Sequence, residues 1–288
     1  MTDAVITLSS FPIVTEFYKT YWNKRPFVVK AAISDDVLGG LIPADEVAGL
    51  SLEEDVRSRI VKAGKTPQDW ACEHGPFVED TFTNLPDENW SLLVQDVEKF
   101  HPPTAELITP FGFSPKWLID DVMVSYSVPG GGVGPHLDSY HVFLVQGQGS
   151  RTWKLGREAV SDESYIENID LKILKDDFVG DTFEVTRGDV IYIPPRFPHA
   201  GETLVESLTY SIGFLGPSLS EMMVEFGQFI EENENLNKRY DADLLNPSSA
   251  GDDMADQEVD NFRATLIEAI KSEHFDGWLR DYFENDQD

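Results

Sequence analysis

The sequence has a single cysteine, Cys72, which excludes an intrachain disulfide and leaves no expectation of a cysteine-based zinc site. No run of 18 apolar residues occurs, so no membrane-spanning helix is expected. The opening MTDAVITLSSFPIV has no basic segment and no long apolar stretch. No secretory signal is therefore expected, and the expected location is the cytoplasm. Basic residues are scarce: 22 Lys and Arg stand against 52 Asp and Glu, a net charge of −30. Such a surface repels phosphate backbones, so direct nucleic-acid binding is not expected, whereas a basic partner would be attracted. Solubility or a salty habitat accounts for the acidity equally well. What is present is enough for a core: 41% of the 288 residues are hydrophobic and 11% aromatic. The length allows one large domain, or one domain with an appendage.

Two catalytic patterns are also missing. GGGVG (Gly130 to Gly134) lacks the G-K-[ST] ending and the following helix of a phosphate loop, and no G-x-S-x-G nucleophile elbow occurs. Cys72 lies near His74, but nothing local raises it above an ordinary buried thiol.

The chain changes texture twice. The N-terminal part mixes short helices and strands. Val14, Phe17, Tyr18, Tyr21 and Trp22 lie on one helical face, and Phe27 to Val29 reads as a strand. From Asp121 the pattern alternates: DVMVSYSV is a strand with Val122, Val124, Tyr126 and Val128 on one face. His141 to Gln146 follows as a strand, GQG is expected to turn the chain, and Ser150 to Gly156 returns as the next strand. Thr182–Thr186, Val190–Ile193 and Leu208–Phe214 supply three more. Short strands with Gly and Pro turns argue for an antiparallel sandwich or barrel. After Gly216 the period becomes helical, opening with a Ser218/Glu221 capping box. Three amphipathic stripes follow, interrupted by a linker at Asn246 to Asp253. They need a surface to cover them, either the barrel or a second copy. Residues 216–288 carry 19 acids and 5 bases, hence −14 of the −30. Two regions are expected: residues 1–215 as a catalytic domain and 216–288 as a helical region.

Chemistry concentrates in the barrel. His136 and Asp138 form H-x-D, and in extended chain residues i and i+2 share a face, so imidazole and carboxylate can hold one metal ion. Alone, H-x-D reads as readily as a loop histidine beside a turn cap. His199 ends RGDVIYIPPRFPH, where a strand runs into a Pro-rich turn. Two histidines and one carboxylate on one face of a metal leave the other positions open, which suits non-haem Fe(II). A structural zinc ion is more often closed by four protein ligands. His141 is at an odd offset from Asp138 and is expected to face away. Taken alone, Arg151 reads more readily as an exposed strand residue; facing the barrel interior, its guanidinium would need a carboxylate and grip it in two places. Lys154 should face the other way.

These stretches together resemble a known family. SVPGGGVGPHLDSYHVFLVQGQGSRTWKLG, GDVIYIPPRFPHAGE and YSIGF, with YWNKRPFVVK and NWSLLVQDVEKF, are similar to the JmjC-type cupin oxygenases, and most of all to the bacterial ribosomal oxygenases that hydroxylate ribosomal-protein arginine. The resemblance covers about residues 15–285. It implies a mainly-β double-stranded β-helix, the cupin or JmjC jelly roll, followed by a helical dimerisation region. It implies Fe(II), 2-oxoglutarate and O₂. His136, Asp138 and His199 match the iron ligands, Arg151 matches the anchor of the distal 2-oxoglutarate carboxylate, and Ser127 matches a polar contact to that cosubstrate. The implied substrate is the β-carbon of an arginine in a basic large-subunit ribosomal protein. Alternatives are a JmjC oxygenase acting on histidine or methyl-lysine, and a metal-binding cupin without oxidative chemistry. Two departures stand out. Arg196 in PPRFPH replaces the usual glycine, and the winged-helix-like C-terminal domain common in relatives is not expected after about residue 285.

Overall fold

A computed structural model describes residues 4–66, 69–239 and 254–285. The expected linker at Asn246 to Asp253 lies outside the described residues. The chain divides into two compact units, Met1–Leu215 and Gly216–Asp288.

The first unit is built on ten strands: β1 (Ile6–Leu8), β2 (Phe27–Val29), β3 (Ser58–Lys62), β4 (Ala71–His74), β5 (Trp90–Val94), β6 (Ile119–Ser127), β7 (His141–Gly156), β8 (Gly180–Thr186), β9 (Val190–Ile193) and β10 (His199–Phe214). They are ordered β1-β2-β9-β7-β10-β6-β5-β3-β4, with β8 also on β7. All pairings are antiparallel except β1 with β2. With the helices, this is the cupin or JmjC type of fold that the resemblance implies.

The expected hairpin at GQG is not formed. Residues 141–156 are one continuous strand, and β10 is equally long, beginning at His199 rather than Leu208. The two pair along their whole length, with register shifts between Thr203 and Val205 and between Val205 and Leu208. Gly149, at φ +68°, absorbs the irregularity; a Cβ there would sit 2.0 Å from the Glu206 carbonyl oxygen. The glycines therefore mark bulges that bend long strands instead of a reversal. The first half of β7 pairs with β9 and the second half with β8.

Alternation along β7 sorts the core into two sides. Phe143 and Val145 join Phe17, Phe27, Phe111 and Tyr192 in a fully buried aromatic cluster under the N-terminal segments. Val142 and Leu144 face the other way, with Trp153, Leu155, Ile191 and Ile193. The helix expected over Val14 to Trp22 is one α turn, Val14–Glu16, followed by a π-helix, Phe17–Tyr21, closed by Trp22 N–H donating to the Phe17 carbonyl at 2.8 Å. The wider turn seats Phe17 and Tyr21 in the core and stacks Trp22 on His141 at a ring separation of 3.6 Å.

In the second unit, helices span Leu219–Glu232, Asp256–Ile270 and Glu273–Asn285. Ser218 and Glu221 form the capping box reciprocally. Phe226 packs on Phe275 and Trp278. Leu219, Met223, Val259, Phe262 and Leu266 remain exposed.

Candidate metal centre

β10 starts at His199, and its first backbone groups pair with His136: each N–H donates to the other's carbonyl, at 3.0 and 3.1 Å. This isolated bridge brings two residues 63 positions apart side by side, with ring centroids 4.1 Å apart. Asp138 follows on the same face as His136. Its carbonyl accepts from Arg196 N–H at 2.8 Å, which fixes the turn before His199. The carboxylate lies 3.9 Å from His136 Nε2 and 3.4 Å from His199 Nε2. All three donor atoms fall within 4.8 Å of one another. Adjacent ligands of an octahedral ion at about 2.1 Å stand about 3.0 Å apart, so closure needs shifts of less than about 1 Å.

The backbone sets the tautomers. His136 Nδ1 is 2.9 Å from the Gly134 carbonyl oxygen, and His199 Nδ1 is 2.9 Å from that of Phe197. A carbonyl only accepts, so each Nδ1 carries a proton, and each Nε2 is turned toward Asp138. Burial, together with the neighbouring His199, pulls His136 down to about 4, so its ring is neutral at pH 7. Burial pushes the Asp138 carboxyl up, but the His199 hydrogen bond and both imidazoles outweigh it and hold the group at about 2. Two imidazole Nε2 atoms turned toward an ionised carboxylate are a donor set suited to a divalent cation.

These residues line a cavity of about 480 Å³. Arg151 forms part of its wall, 4% exposed, on the stretch of β7 paired with Thr203 and Val185. Its guanidinium donates to Gly201 O at 3.2 Å and to Thr209 Oγ1 at 3.4 Å, and sits 5.0 Å above the Trp153 ring. Nε has no partner, and among the described residues no carboxylate forms an ion pair with it. Burial pulls its pKa to about 10, so it stays charged at pH 7. Trp153 Nε1, on the same wall, is also buried without a partner. A buried unpaired cation beside an orphaned N–H donor fits an anionic, acceptor-rich ligand. The Gly-rich loop permits the close packing: a Cβ on Gly132 would lie 2.2 Å from Gly201 O.

Ser127, fully buried, lines the same cavity, and its hydroxyl donates to Ser91 Oγ at 2.7 Å. The structure thus brings together all five residues singled out from the sequence. His141 instead faces the aromatic core, its Nδ1 2.8 Å from Tyr192 Oη. Lys154 pairs with Asp177 outside the site.

Sequence reasoning missed several groups. Thr209, Ser211 and Tyr140 line the cavity. Gln146 accepts from Thr209 Oγ1 at 3.2 Å and so supports the partner of Arg151. Asp121 shares a face of β6 with Met123, Ser125 and Ser127, which line the cavity; it is buried, and its Oδ2 has no partner. Burial and the nearby acids Asp120, Asp96 and Glu98 raise it to about 7. Its Oδ1 and the Tyr140 ring flank Gly213, 3.3 and 3.7 Å from where a Cβ would stand. The period-two pattern of β6 was the available signal, since residues 121, 123, 125 and 127 share one parity.

Comparison with known proteins agrees with this geometry. Residues 106–222 match the JmjC domain family. The chain is 39% identical over 270 residues to the Escherichia coli ribosomal protein uL16 3-hydroxylase, covering 93% of this chain and 70% of that one. It is 35% identical to a probable ribosomal oxygenase of Haemophilus influenzae, covering 65% of that protein. The chain therefore spans about two thirds of the length of these relatives. Among solved structures, the E. coli ribosomal oxygenase YcfD in complex with cobalt and 2-oxoglutarate superimposes with a TM-score of 0.76 at 38% identity, over 93% of this chain and 70% of that one.

Proposed function

The chain belongs to the JmjC-domain ribosomal oxygenases, and on that premise we propose that it hydroxylates the β-carbon of an arginine in a large-subunit ribosomal protein, using Fe(II), 2-oxoglutarate and O₂. One observation carries the reading: His136, Asp138 and His199 converge in the same cavity as a buried arginine that has no carboxylate partner among the described residues.

His136, Asp138 and His199 would hold the iron. With 2-oxoglutarate and O₂, the metal centre supplies the oxidising power to place a hydroxyl on an unactivated carbon. The chain's own task is then to bind, orient and keep water out. Arg151 clamps the distal carboxylate of the cosubstrate, backed by Thr209 and Gln146. Ser127 offers a hydroxyl to the same ligand. Val142, Leu144 and Trp153 form the apolar side of the cavity. A cupin without a dicarboxylate cosubstrate would leave the Arg151 charge buried and unmatched, which disfavours that alternative.

Asp121 and Tyr140 favour arginine over the other candidate side chains. A buried carboxylate with an open oxygen, beside an aromatic ring, suits a planar guanidinium. The net charge of −30 favours a basic protein partner over nucleic acid. No helix among the described residues is long and apolar enough to cross a membrane, which accords with a cytoplasmic place beside the ribosome. The exposed apolar faces of the C-terminal helices support a homodimer through residues 216–288.

The test is incubation of the iron-loaded protein with 2-oxoglutarate and recombinant uL16. Succinate should form, and one arginine should gain the mass of one oxygen. Oxidation at a histidine, or loss of methyl groups from lysine, would replace the arginine reading.

A further inference from the structure

Outside the catalytic triad, a second set of metal-ligating side chains converges at the cavity mouth. Cys72 and His74 are alternate residues of β4, so both project from one face of this edge strand. Asp170 comes from the opposite lip. It lies at the turn of a hairpin in which Ile166 N–H donates to Ile173 O at 2.9 Å and Tyr165 bridges Leu174. Leu174 N–H donates to Pro135 O at 2.7 Å, which ties the hairpin to the residue before His136. Asp170 Oδ2 is 2.9 Å from His74 Nε2, and Cys72 Sγ is 3.9 Å from the same nitrogen. One ligand atom from each residue falls within 4.8 Å of the others. All three residues line the cavity.

We propose that Cys72, His74 and Asp170 form a second divalent-metal site, selective for Zn(II), that staples the edge strand to the 165–174 hairpin across the mouth of the active cavity. Tetrahedral zinc with ordinary bond lengths places S and N about 3.5 Å apart and N and O about 3.3 Å apart. The observed 3.9 and 2.9 Å need adjustments of about 0.4 Å. His74 and Asp170 are exposed and Cys72 is partly so, so the shifts disturb no core packing. Thiolate, imidazole and carboxylate donors bind Zn(II) more tightly than Fe(II), so this centre does not compete for iron. Binding replaces the thiol proton with the metal, releasing one proton per ion. Three protein ligands leave one position for water or for a group on an incoming substrate. Sequence alone makes Cys72 an ordinary buried thiol; the fold leaves it only partly buried and adds a ligand 98 residues away.

Because Cys72 is the chain's only cysteine, Co(II) reads this site without ambiguity. The catalytic ligands contain no sulfur, so a thiolate-to-cobalt band in the near ultraviolet can come only from Cys72. Titration of the metal-free full chain with Co(II) should give two ions per chain and this band, and Zn(II) should erase it. Cys72→Ser should bind one ion without the band. Asp170→Asn and His74→Gln should weaken the band-forming site at least tenfold, with the sulfur-free site unaffected. Absence of the band at excess Co(II) overturns the proposal, as does unchanged affinity in both ligand variants, which would mean the thiol binds alone. Neither result touches the oxygenase reading, whose metal is counted separately in the same titration.

Discussion

Replacing Arg151 by methionine separates a binding role from a structural one. The side chain is 4% exposed, donates two hydrogen bonds of 3.2 and 3.4 Å, and leaves Nε unpaired. A carboxylate gripped in two places gains roughly 1.5–3 kcal/mol from each charge-assisted bond. Loss of both costs about 3–6 kcal/mol, or about 10²- to 10⁴-fold in affinity for 2-oxoglutarate. The ligand-free fold should respond differently. Methionine abandons the Gly201 carbonyl, at about 1 kcal/mol, but also removes a desolvated charge with no counter-ion. Net stability should stay within about 1–2 kcal/mol of the parent. Thermal unfolding with Mn(II), with and without N-oxalylglycine, reads both effects. At about 100 times the dissociation constant the parent gains about 2.7 kcal/mol, and Arg151→Met should gain at most about 0.4 kcal/mol at that concentration. A retained ligand shift would remove the anchoring role. A ligand-free form weakened by more than about 3 kcal/mol would make Arg151 a structural element instead.

Asp138→Ala and His199→Ala should each abolish succinate formation while leaving a folded chain with one fewer tightly bound metal ion, as seen by calorimetric titration. Asp121→Asn should stabilise the protein yet impair it. Asp121 is raised to about 7, so the fold keeps a proton that the unfolded chain releases between about pH 4 and 7, and that contribution is lost as pH rises through this window. At pH 8, where His136 and His141 are neutral in both states, the variant should be more stable by about 2–4 kcal/mol in denaturant melts, with turnover of the arginine substrate reduced at least tenfold. Equal or lower stability at pH 8 would contradict the burial argument. Phe262→Glu with Leu266→Glu should leave only monomers in sedimentation equilibrium if these exposed helix faces bind a second copy.

How far the site could be read from the sequence follows from which geometry is local. His136 and Asp138 share a face through simple alternation, and the parity of Arg151 against Lys154 follows from the same rule. Their convergence with His199 needs the long-range backbone bridge between His136 and His199, and only the family resemblance supplied that. Gly147 and Gly149 allow either a turn or a bulge, and sixteen residues of long-range register decide for the bulge. Alternation along β6 is legible, but the face with Val122 and Val124 marks the core, and nothing local distinguishes Asp121 on the other face from a solvated acid.

Arg196 is the case where sequence pattern and backbone meet most directly. Its φ of +66° is the left-handed conformation in which glycine costs nothing and a side chain is strained. The arginine is held there by its own contacts: Nε donates to Val160 O at 2.7 Å, Nη2 to Ser161 O, and Nη1 pairs with Glu163 at 2.9 Å. The departure from glycine thus exchanges backbone ease for a tether on the 160–163 segment, three residues before His199. Both Arg196→Ala and Arg196→Gly lose the tether, but only glycine relaxes the backbone. Arg196→Gly should therefore be the more stable of the two by about 1 kcal/mol in urea unfolding. Equal stability would show that the turn shifts out of the left-handed region once the arginine is gone, and that the tether, rather than the fold around His199, imposes the strain.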